Sequence, residues 1–284
     1  RILSKIKDCV RDHQLQKNQD YLLTLTASDH QLLPQVKESW IYQPLDHFNR
    51  QDINTFPQRL ADLAVFHQYI SQSFNLSCRN TWISFGGSYS GALSAWFRGK
   101  FPNLVYGAVA SSAPVQAKLD FSGYNKAVGL SLMNEAVGGS EKCFAKVREA
   151  FARVETALMG GNSSQVAVDF GCCQTPKNLD DQTELVQNLA DIIMGAVQYN
   201  EEGVLMSIAE LCGVMTSPSE EEEAEMGAYR QLIKLSQVYR STSEETCLDI
   251  SHEKTMKDLM DTSVHTHRRA ERQWTYQTCT EFGF

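Results

Sequence analysis

The chain has 284 residues, of which 42% are hydrophobic and 21% are charged. This is the composition of a globular protein with room for one large domain or two smaller ones. The formal net charge of −8 argues against nucleic acid or an anionic membrane as a partner, because both require a clustered basic surface. No apolar run approaches the length of about 18 residues that a transmembrane helix needs.

Cysteines and glycosylation sequons both indicate the secretory route. The eight cysteines lack paired CxxC spacing, which favours disulfides over a zinc site, and neither a metal nor a cofactor is expected. Asn75-Leu-Ser and Asn162-Ser-Ser are sequons for N-glycosylation, which occurs on secretory proteins, where cysteines also oxidise. We therefore expect a protein of the secretory pathway, glycosylated at Asn75 and Asn162.

The first sixty residues carry weak structural signals. Residues 1–38 show no sustained hydrophobic period and are interpreted as a poorly determined leader. The aromatic stretch Trp40–Phe48 predicts a strand, and Pro44 places that strand at a sheet edge. Apolar residues then recur at helical spacing from Leu60 to Phe74, which predicts one amphipathic helix.

A strand, a helix and a second strand follow within about thirty residues, the length of a βαβ unit. The β-prone run Thr81–Phe85 is stopped by Gly86-Gly87, Ala92–Lys100 has helical character, and Val105–Ala110 is typical of a buried strand. The order predicts an α/β fold with a parallel sheet. We interpret residues 39–121 as this α/β domain.

The character of the sequence changes after Pro114. Four segments between residues 122 and 284 have helical spacing and are separated by Gly, Pro or Ser, which predicts a helical domain. The acidic residues between 220 and 225 are interpreted as a solvated loop. The predicted helices are Tyr124–Ala136, Lys142–Met159, Leu179–Val197 and Ala228–Tyr239.

Ser88 is the candidate catalytic residue. A serine hydroxyl becomes a useful nucleophile when a strained turn aims it at a base and nearby amides face the developing oxyanion. A nucleophile elbow between a strand and a helix does this, and it needs small neighbours such as Gly86, Gly87 and Gly91. The sequence Gly-Gly-Ser-Tyr-Ser-Gly differs from the common GxSxG, so its strand-helix context carries the prediction. The backbone amide of Tyr89 is the expected oxyanion donor.

These segments resemble the prolylcarboxypeptidase-like family of serine peptidases. The resemblance implies an α/β-hydrolase domain interrupted by a disulfide-containing helical domain, and it implies a serine exopeptidase, of dipeptidyl-peptidase or carboxypeptidase type, that cleaves peptides, often after proline. The resemblance also implies peptides as the substrates and endosomes, lysosomes or secreted vesicles as the location, and a homodimer stays open. The resembling segments are Gln43–Phe48, Trp82–Gly91, Lys100–Pro102, Ala110–Val115, Leu119–Ser122 and Tyr276–Phe284.

The chain departs from the family pattern in two ways. Arg59 and Leu60 are adjacent here, where the family carries a long segment that holds the first core strands and the second oxyanion donor. The family's acid and base also lie in later segments that have no counterpart before Phe284. The resemblance therefore implies an incomplete hydrolase core, truncated and internally deleted, without the triad acid and base.

No histidine of the chain has the context of a catalytic base. None follows a late strand in the usual Ser, acid, His order, and His265-Thr-His267 lacks a third ligand for a metal. Three functions stay open: an exopeptidase, an esterase or lipase on the same fold, and a truncated product without catalysis.

Overall fold

The computed structural model describes residues 59–116, 118, 121–218, 226–261 and 271–279, together with positions 2, 5, 6, 9, 10, 12–14, 16 and 17. The predicted strand at 40–48, the acidic residues 220–223 and 225, and the histidines 265 and 267 lie outside them. The chain divides into two compact units. One unit contains the described residues from 59 to 118, and the other contains those between 2 and 17 and from 121 to 279.

The smaller unit is an α/β unit built around two parallel strands. Helix α1 (Arg59–Ser73) precedes strand β1 (Ile83–Gly87), helix α2 (Tyr89–Lys100) and strand β2 (Gly107–Ser111). The strands pair in parallel with Ile83 opposite Gly107 and Gly87 opposite Ser111. The predicted βαβ unit is confirmed, because α2 packs on both strands and α1 packs on α2.

One face of this sheet is covered and the other is exposed. On the covered face, the buried Ser94 of α2 donates its hydroxyl to Ser84 Oγ of β1 at 2.8 Å. On the other face, Phe85 is 73% exposed and its partner Val109 is 47% exposed. A parallel sheet is normally covered on both faces, so the described part of this unit has one unprotected apolar face.

The larger unit is helical. Its core contains buried apolar residues from every long helix, and the four predicted long helices are present, with ends that agree within about three residues. Short helices between and after them were not predicted. In chain order the helices are α3 (Gly123–Met133), a 3₁₀ turn (Glu135–Val137), α4 (Glu141–Met159), α5 (Ser163–Asp169), α6 (Leu179–Gln198), α7 (Ile208–Thr216), α8 (Gly227–Thr242), α9 (His252–Met260) and α10 (Glu271–Gln277).

Part of the predicted leader belongs to this helical unit. The described positions between 2 and 17 are helical, and Ile2, Ile6 and Val10 are 2–4% exposed within the helical core. Spacing of four residues places these side chains on one face of a helix. The domain boundaries at 38/39 and 121/122 stay predictions, and the described positions between 2 and 17 contribute to the helical core.

Helix α6 carries buried polar residues whose partners fix neighbouring segments. The Asp181 carboxylate accepts hydrogen bonds from the backbone N–H groups of Lys177 at 2.9 Å and His252 at 3.0 Å. Asn188 donates to the carbonyl of Asp249 at 2.8 Å. Buried polar groups require partners, and the bonds to His252 and Asp249 hold the beginning of α9 and the segment before it against α6.

No described helix has the length and apolarity needed to cross a membrane.

Four of the eight cysteines form two disulfides. Cys143 of α4 joins Cys212 of α7, and Cys173 joins Cys247 beside a parallel backbone bridge between Cys172 and Leu248. The expectation of disulfides is thereby confirmed. The thiols of the remaining cysteines are free: Cys9, Cys78, Cys172 and Cys279.

Cys172 is expected to resist alkylation although it is adjacent to a disulfide cysteine. Burial raises the pKa of its thiol to about 12, and the Arg240 guanidinium opposes this only in part. Because the thiolate is the reactive form, iodoacetamide at pH 8 should modify Cys172 at least about 10²-fold more slowly than the exposed Cys78. Mass spectrometry of both peptides over time measures this ratio. Equal alkylation rates for Cys172 and Cys78 in the native protein would contradict this prediction. Unfolding in urea should make the two rates equal.

Candidate active site

Ser88 lies at a sharp turn between β1 and α2. Its backbone has φ 56° and ψ −125°, which L residues rarely adopt and which costs about 1–3 kcal/mol. The side chain is exposed and makes no capping hydrogen bond to the helix that follows. The alternative interpretation of Ser88 as an ordinary capping serine is therefore not supported.

Two backbone hydrogen bonds fix Ser88 to both elements. Its N–H donates to the carbonyl of Ser111, the last residue of β2, at 2.9 Å. Its carbonyl accepts the N–H of Ala92 in the first turn of α2 at 3.1 Å. Tyr89 is the first residue of α2, where backbone amides point out of the helix and carry partial positive charge. The turn thus places a hydroxyl next to a helix N-terminus.

The sequence predicts that three glycines allow the helix and the strands to approach closely, and the structure shows close approach at two of them. A Cβ on Gly86 would lie 2.1 Å from the Ser90 carbonyl oxygen, and one on Gly91 would lie 2.9 Å from Ala113 Cβ. Neither position accommodates a side chain without movement of neighbouring atoms. Gly87 differs, because a Cβ there would meet no atom within 4 Å.

Ser112 is a second strained serine that the sequence analysis missed. It follows β2 with φ 46°, directly after the residue whose carbonyl binds the Ser88 amide. The turn continues through a hydrogen bond from the Val115 N–H to the Ala113 carbonyl at 2.9 Å. Each of the two adjacent parallel strands is therefore followed by a serine with a positive φ. The only sequence signal is Ser-Ser-Ala-Pro directly after a predicted strand.

The described residues of this unit contain no serine–histidine couple. The one histidine among them is His67, whose ring centroid lies 4.3 Å from that of Trp82 and whose Nε2 is buried without a hydrogen-bond partner. In the helical unit, His252 Nδ1 lies 3.3 Å from Glu184 Oε1. The described residues of the α/β unit thus place the candidate serine in a strained turn, without a histidine paired to it.

The two predicted glycosylation sites lie on exposed helix ends. Asn75 follows the last turn of α1 with φ 51°, and Asn162 precedes α5 in the helical unit. Both residues are exposed.

Among the described residues, no cluster of His, Cys, Asp or Glu could hold a metal ion.

The sequence matches one protein family over most of its length. The profile of serine carboxypeptidase S28 matches residues 43–284. Thymus-specific serine protease from Homo sapiens is 40% identical over 228 residues, which cover 79% of this chain and 44% of that protein. The Mus musculus protein of the same name is also 40% identical, with 79% and 45% covered.

A shorter match relates the chain to another peptidase. Lysosomal Pro-X carboxypeptidase from Bos taurus is 48% identical over 61 residues, which cover 22% of this chain and 12% of that protein. The chain spans less than half the length of each of these relatives. On the extent of the profile match and the identity to the thymus-specific proteases, the chain belongs to the serine carboxypeptidase S28 family of serine peptidases.

Proposed function

We propose that Ser88 is the acyl-forming nucleophile of a serine exopeptidase that acts on peptides. The observation that carries the proposal is the backbone of Ser88, strained at φ 56° and ψ −125° between β1 and α2, with its exposed hydroxyl unused in capping. This is the strand-turn-helix setting of a nucleophile elbow. The Tyr89 amide at the helix N-terminus is the proposed oxyanion donor.

Peptides are the proposed substrates because the family consists of serine peptidases. The alternative of an esterase or lipase on this fold draws no support from the matched relatives, which are named as proteases and carboxypeptidases. Cleavage near a chain end, of dipeptidyl-peptidase or carboxypeptidase type and often after proline, is part of the proposal. One matched relative is named Pro-X carboxypeptidase, which supports this specificity class.

A secretory location, with endosomes or lysosomes as the working compartment, is also proposed. The two disulfides agree with an oxidising compartment. The word lysosomal in the name of one matched relative supports the endosomal or lysosomal site.

We further propose that this chain, as a partial hydrolase core with a helical insertion, has little catalytic activity by itself. The described α/β unit has two strands, one exposed apolar sheet face and no base beside Ser88. Loss of the histidine or aspartate of a serine protease triad reduces kcat by about 10⁴ to 10⁶-fold.

A fluorophosphonate probe tests the role of Ser88. We expect slow labelling of Ser88 on prolonged incubation, at least about 10⁴-fold slower than for a complete serine peptidase. Ser88→Ala should abolish the labelling, whereas Ser90→Ala, at an exposed serine two residues later, should retain it. Intact-mass and peptide mass spectrometry identify the site.

The possible results separate the two parts of the proposal. If labelling persists in Ser88→Ala, or if the wild-type chain is labelled no more than Ser88→Ala, the assignment of Ser88 as the nucleophile is refuted. Rapid stoichiometric labelling of Ser88 would confirm the nucleophile and refute the low activity.

A further inference from the structure

A groove runs along the second half of α1 in the α/β unit. Its volume is about 590 Å³. Most of its exposed wall is apolar, from Ala64, Val65, Leu76 and Leu104, and polar groups come from His67, Gln68, Ser71, Gln72 and Asn75. No Asp, Glu, Lys or Arg belongs to the lining found among the described residues. Such a groove suits a neutral ligand that has an apolar face as well as hydroxyl and amide groups, as a sugar ring does.

Asn75 is both a wall of the groove and the acceptor residue of a sequon. It occupies the position after the helix end in a Schellman motif, because the Leu76 N–H donates to the Ser71 carbonyl at 2.8 Å and the Asn75 N–H donates to the Gln72 carbonyl at 3.3 Å. Its left-handed backbone, with φ 51°, is a conformation that asparagine tolerates. The Asn75 side chain therefore borders the groove at the exposed end of α1.

We propose that Asn75 carries an N-linked glycan whose first N-acetylglucosamine residues lie in this groove. Asn75 Nδ2 would form a bond to the anomeric carbon of a lipid-diphosphate-linked oligosaccharide. The bond from that carbon to the phosphate oxygen breaks, the amide loses one proton and the lipid diphosphate leaves. The inference rests on the proposed secretory route and not on catalysis by Ser88.

The covalent bond to Asn75 explains why a sugar, rather than a free ligand, would occupy the groove. A covalently attached group has a high effective concentration at its own wall of the groove. Gln68 and Gln72 lie four residues apart on α1, so their amides share one helix face and can bind the N-acetyl and hydroxyl groups. The apolar side chains of Val65 and Leu76 can contact the C–H face of the sugar.

The first measurement is the occupancy of the two sequons. The full chain is expressed behind a cleavable signal peptide in cells that perform N-glycosylation, and both sites are assayed by glycopeptide mass spectrometry. Ser77→Ala removes the sequon but keeps Asn75, Asn75→Gly keeps the left-handed turn without the acceptor, and Ser164→Ala is the matched control at the other site. An unmodified Asn75 in the expressed chain would overturn the proposal, even if the chain is retained in the cell, because the glycan is added before folding.

The second measurement tests the position of the sugar. Peptide:N-glycosidase should release the native Asn75 glycan about tenfold or more slowly than the Asn162 glycan, because groove contacts hold the cleaved linkage. Gln68→Ala with Gln72→Ala, both at exposed helical positions, should bring the two rates within a few-fold of each other. Denatured protein should show equal release. Equal rates in the native wild-type protein would overturn groove binding while leaving glycosylation at Asn75 intact.

Discussion

Removal of either disulfide is expected to destabilise the helical unit by several kcal/mol. Cys143–Cys212 and Cys173–Cys247 bridge sequence separations of 69 and 74 residues, so each restricts the unfolded chain to a similar extent. The chain-entropy relation assigns about 4 kcal/mol to a loop of this size, within the 2–5 kcal/mol measured for native disulfides. Because a domain is stable by about 5–15 kcal/mol, loss of both should unfold the unit.

The two bridges are matched in loop length but not in burial, and this separates entropy from packing. Cys143 and Cys212 are 0% and 4% exposed in the helical core, whereas Cys173 is exposed and Cys247 is half-buried. Cys143→Ala with Cys212→Ala should therefore lose a further ~1–2 kcal/mol because sulfur atoms are removed from a packed core. Cys173→Ala with Cys247→Ala should lose the loop contribution alone.

Urea unfolding followed by circular dichroism at 222 nm measures both free energies, since the unit is helical. Cys279→Ser, at an exposed free thiol, is the control and should change stability by less than about 0.5 kcal/mol. Equal losses in the two double variants would contradict the packing contribution. A loss below about 1 kcal/mol in both would contradict the role of the bridges.

The βαβ unit could be predicted because its local signals agree with its packing. The run Thr81–Phe85 is β-prone and Gly86-Gly87 stops it, so the position of the turn follows from composition. The start of α2 was predicted at Ala92 but lies at Tyr89. Gly91 in the first turn weakens the helical signal, and it is present because Ala113 and Ser111 approach there. The requirement for close packing outweighs helix propensity at this point.

Two missed segments differ in the strength of their local signals. Helix α7 begins with a capping box, in which Ser207 and Glu210 bond each other's backbone amides, and Ser-x-x-Glu before an apolar run is readable in sequence. Ile2, Ile6 and Val10 recur at helical spacing, but three residues in a charged segment gave too short a pattern. Their burial depends on the other helices of the unit, which composition does not specify.

Other features could not be derived from residues alone. Eight cysteines permit 105 complete pairings, and which four of them pair depends on the segments that the fold brings together. The φ of 46° at Ser112 has no local cause in Ser-Ser-Ala-Pro, since serine has no special preference for that region. Ser112 directly follows Ser111, whose carbonyl accepts the Ser88 N–H at the end of β1, and this pairing of strand ends is a tertiary contact. The strained turn at Ser88 was predictable because glycines flank it, whereas Ser112 has no such neighbours.

Gly86→Ala is expected to disrupt the turn at Ser88, and Gly87→Ala is expected to leave it intact. The Cβ at position 86 would lie 2.1 Å from the Ser90 carbonyl oxygen, 2.4 Å from its carbon and 2.7 Å from the Gly91 nitrogen. All three are backbone atoms in the first turn of α2, so no side-chain rotation relieves the overlap. The helix must move away from β1, which we expect to cost about 3 kcal/mol or more.

Gly87 is the matched control because it is the next residue of the same strand. A Cβ there would meet nothing within 4 Å, and alanine in a strand is favoured over glycine by roughly 0.5–1 kcal/mol because it loses less backbone entropy. Gly87→Ala should therefore be neutral or slightly stabilising. The two variants add the same methyl group at adjacent positions, so any difference between them reports the approach of α2 to β1.

Hydrogen–deuterium exchange of peptides spanning residues 81–112 measures the effect on this unit directly. Gly86→Ala should raise exchange in β1, α2 and β2 together, because the Ser88 N–H bond to Ser111 and the Ala92 N–H bond to Ser88 both depend on the position of α2. Gly86→Ala should also abolish the slow fluorophosphonate labelling of Ser88. Gly87→Ala should keep both the exchange and the labelling of the wild-type chain. Wild-type exchange in Gly86→Ala would show that the strand and helix tolerate a side chain between them. The close packing that defines this turn would then be refuted, and with it the structural basis for assigning the nucleophile to Ser88.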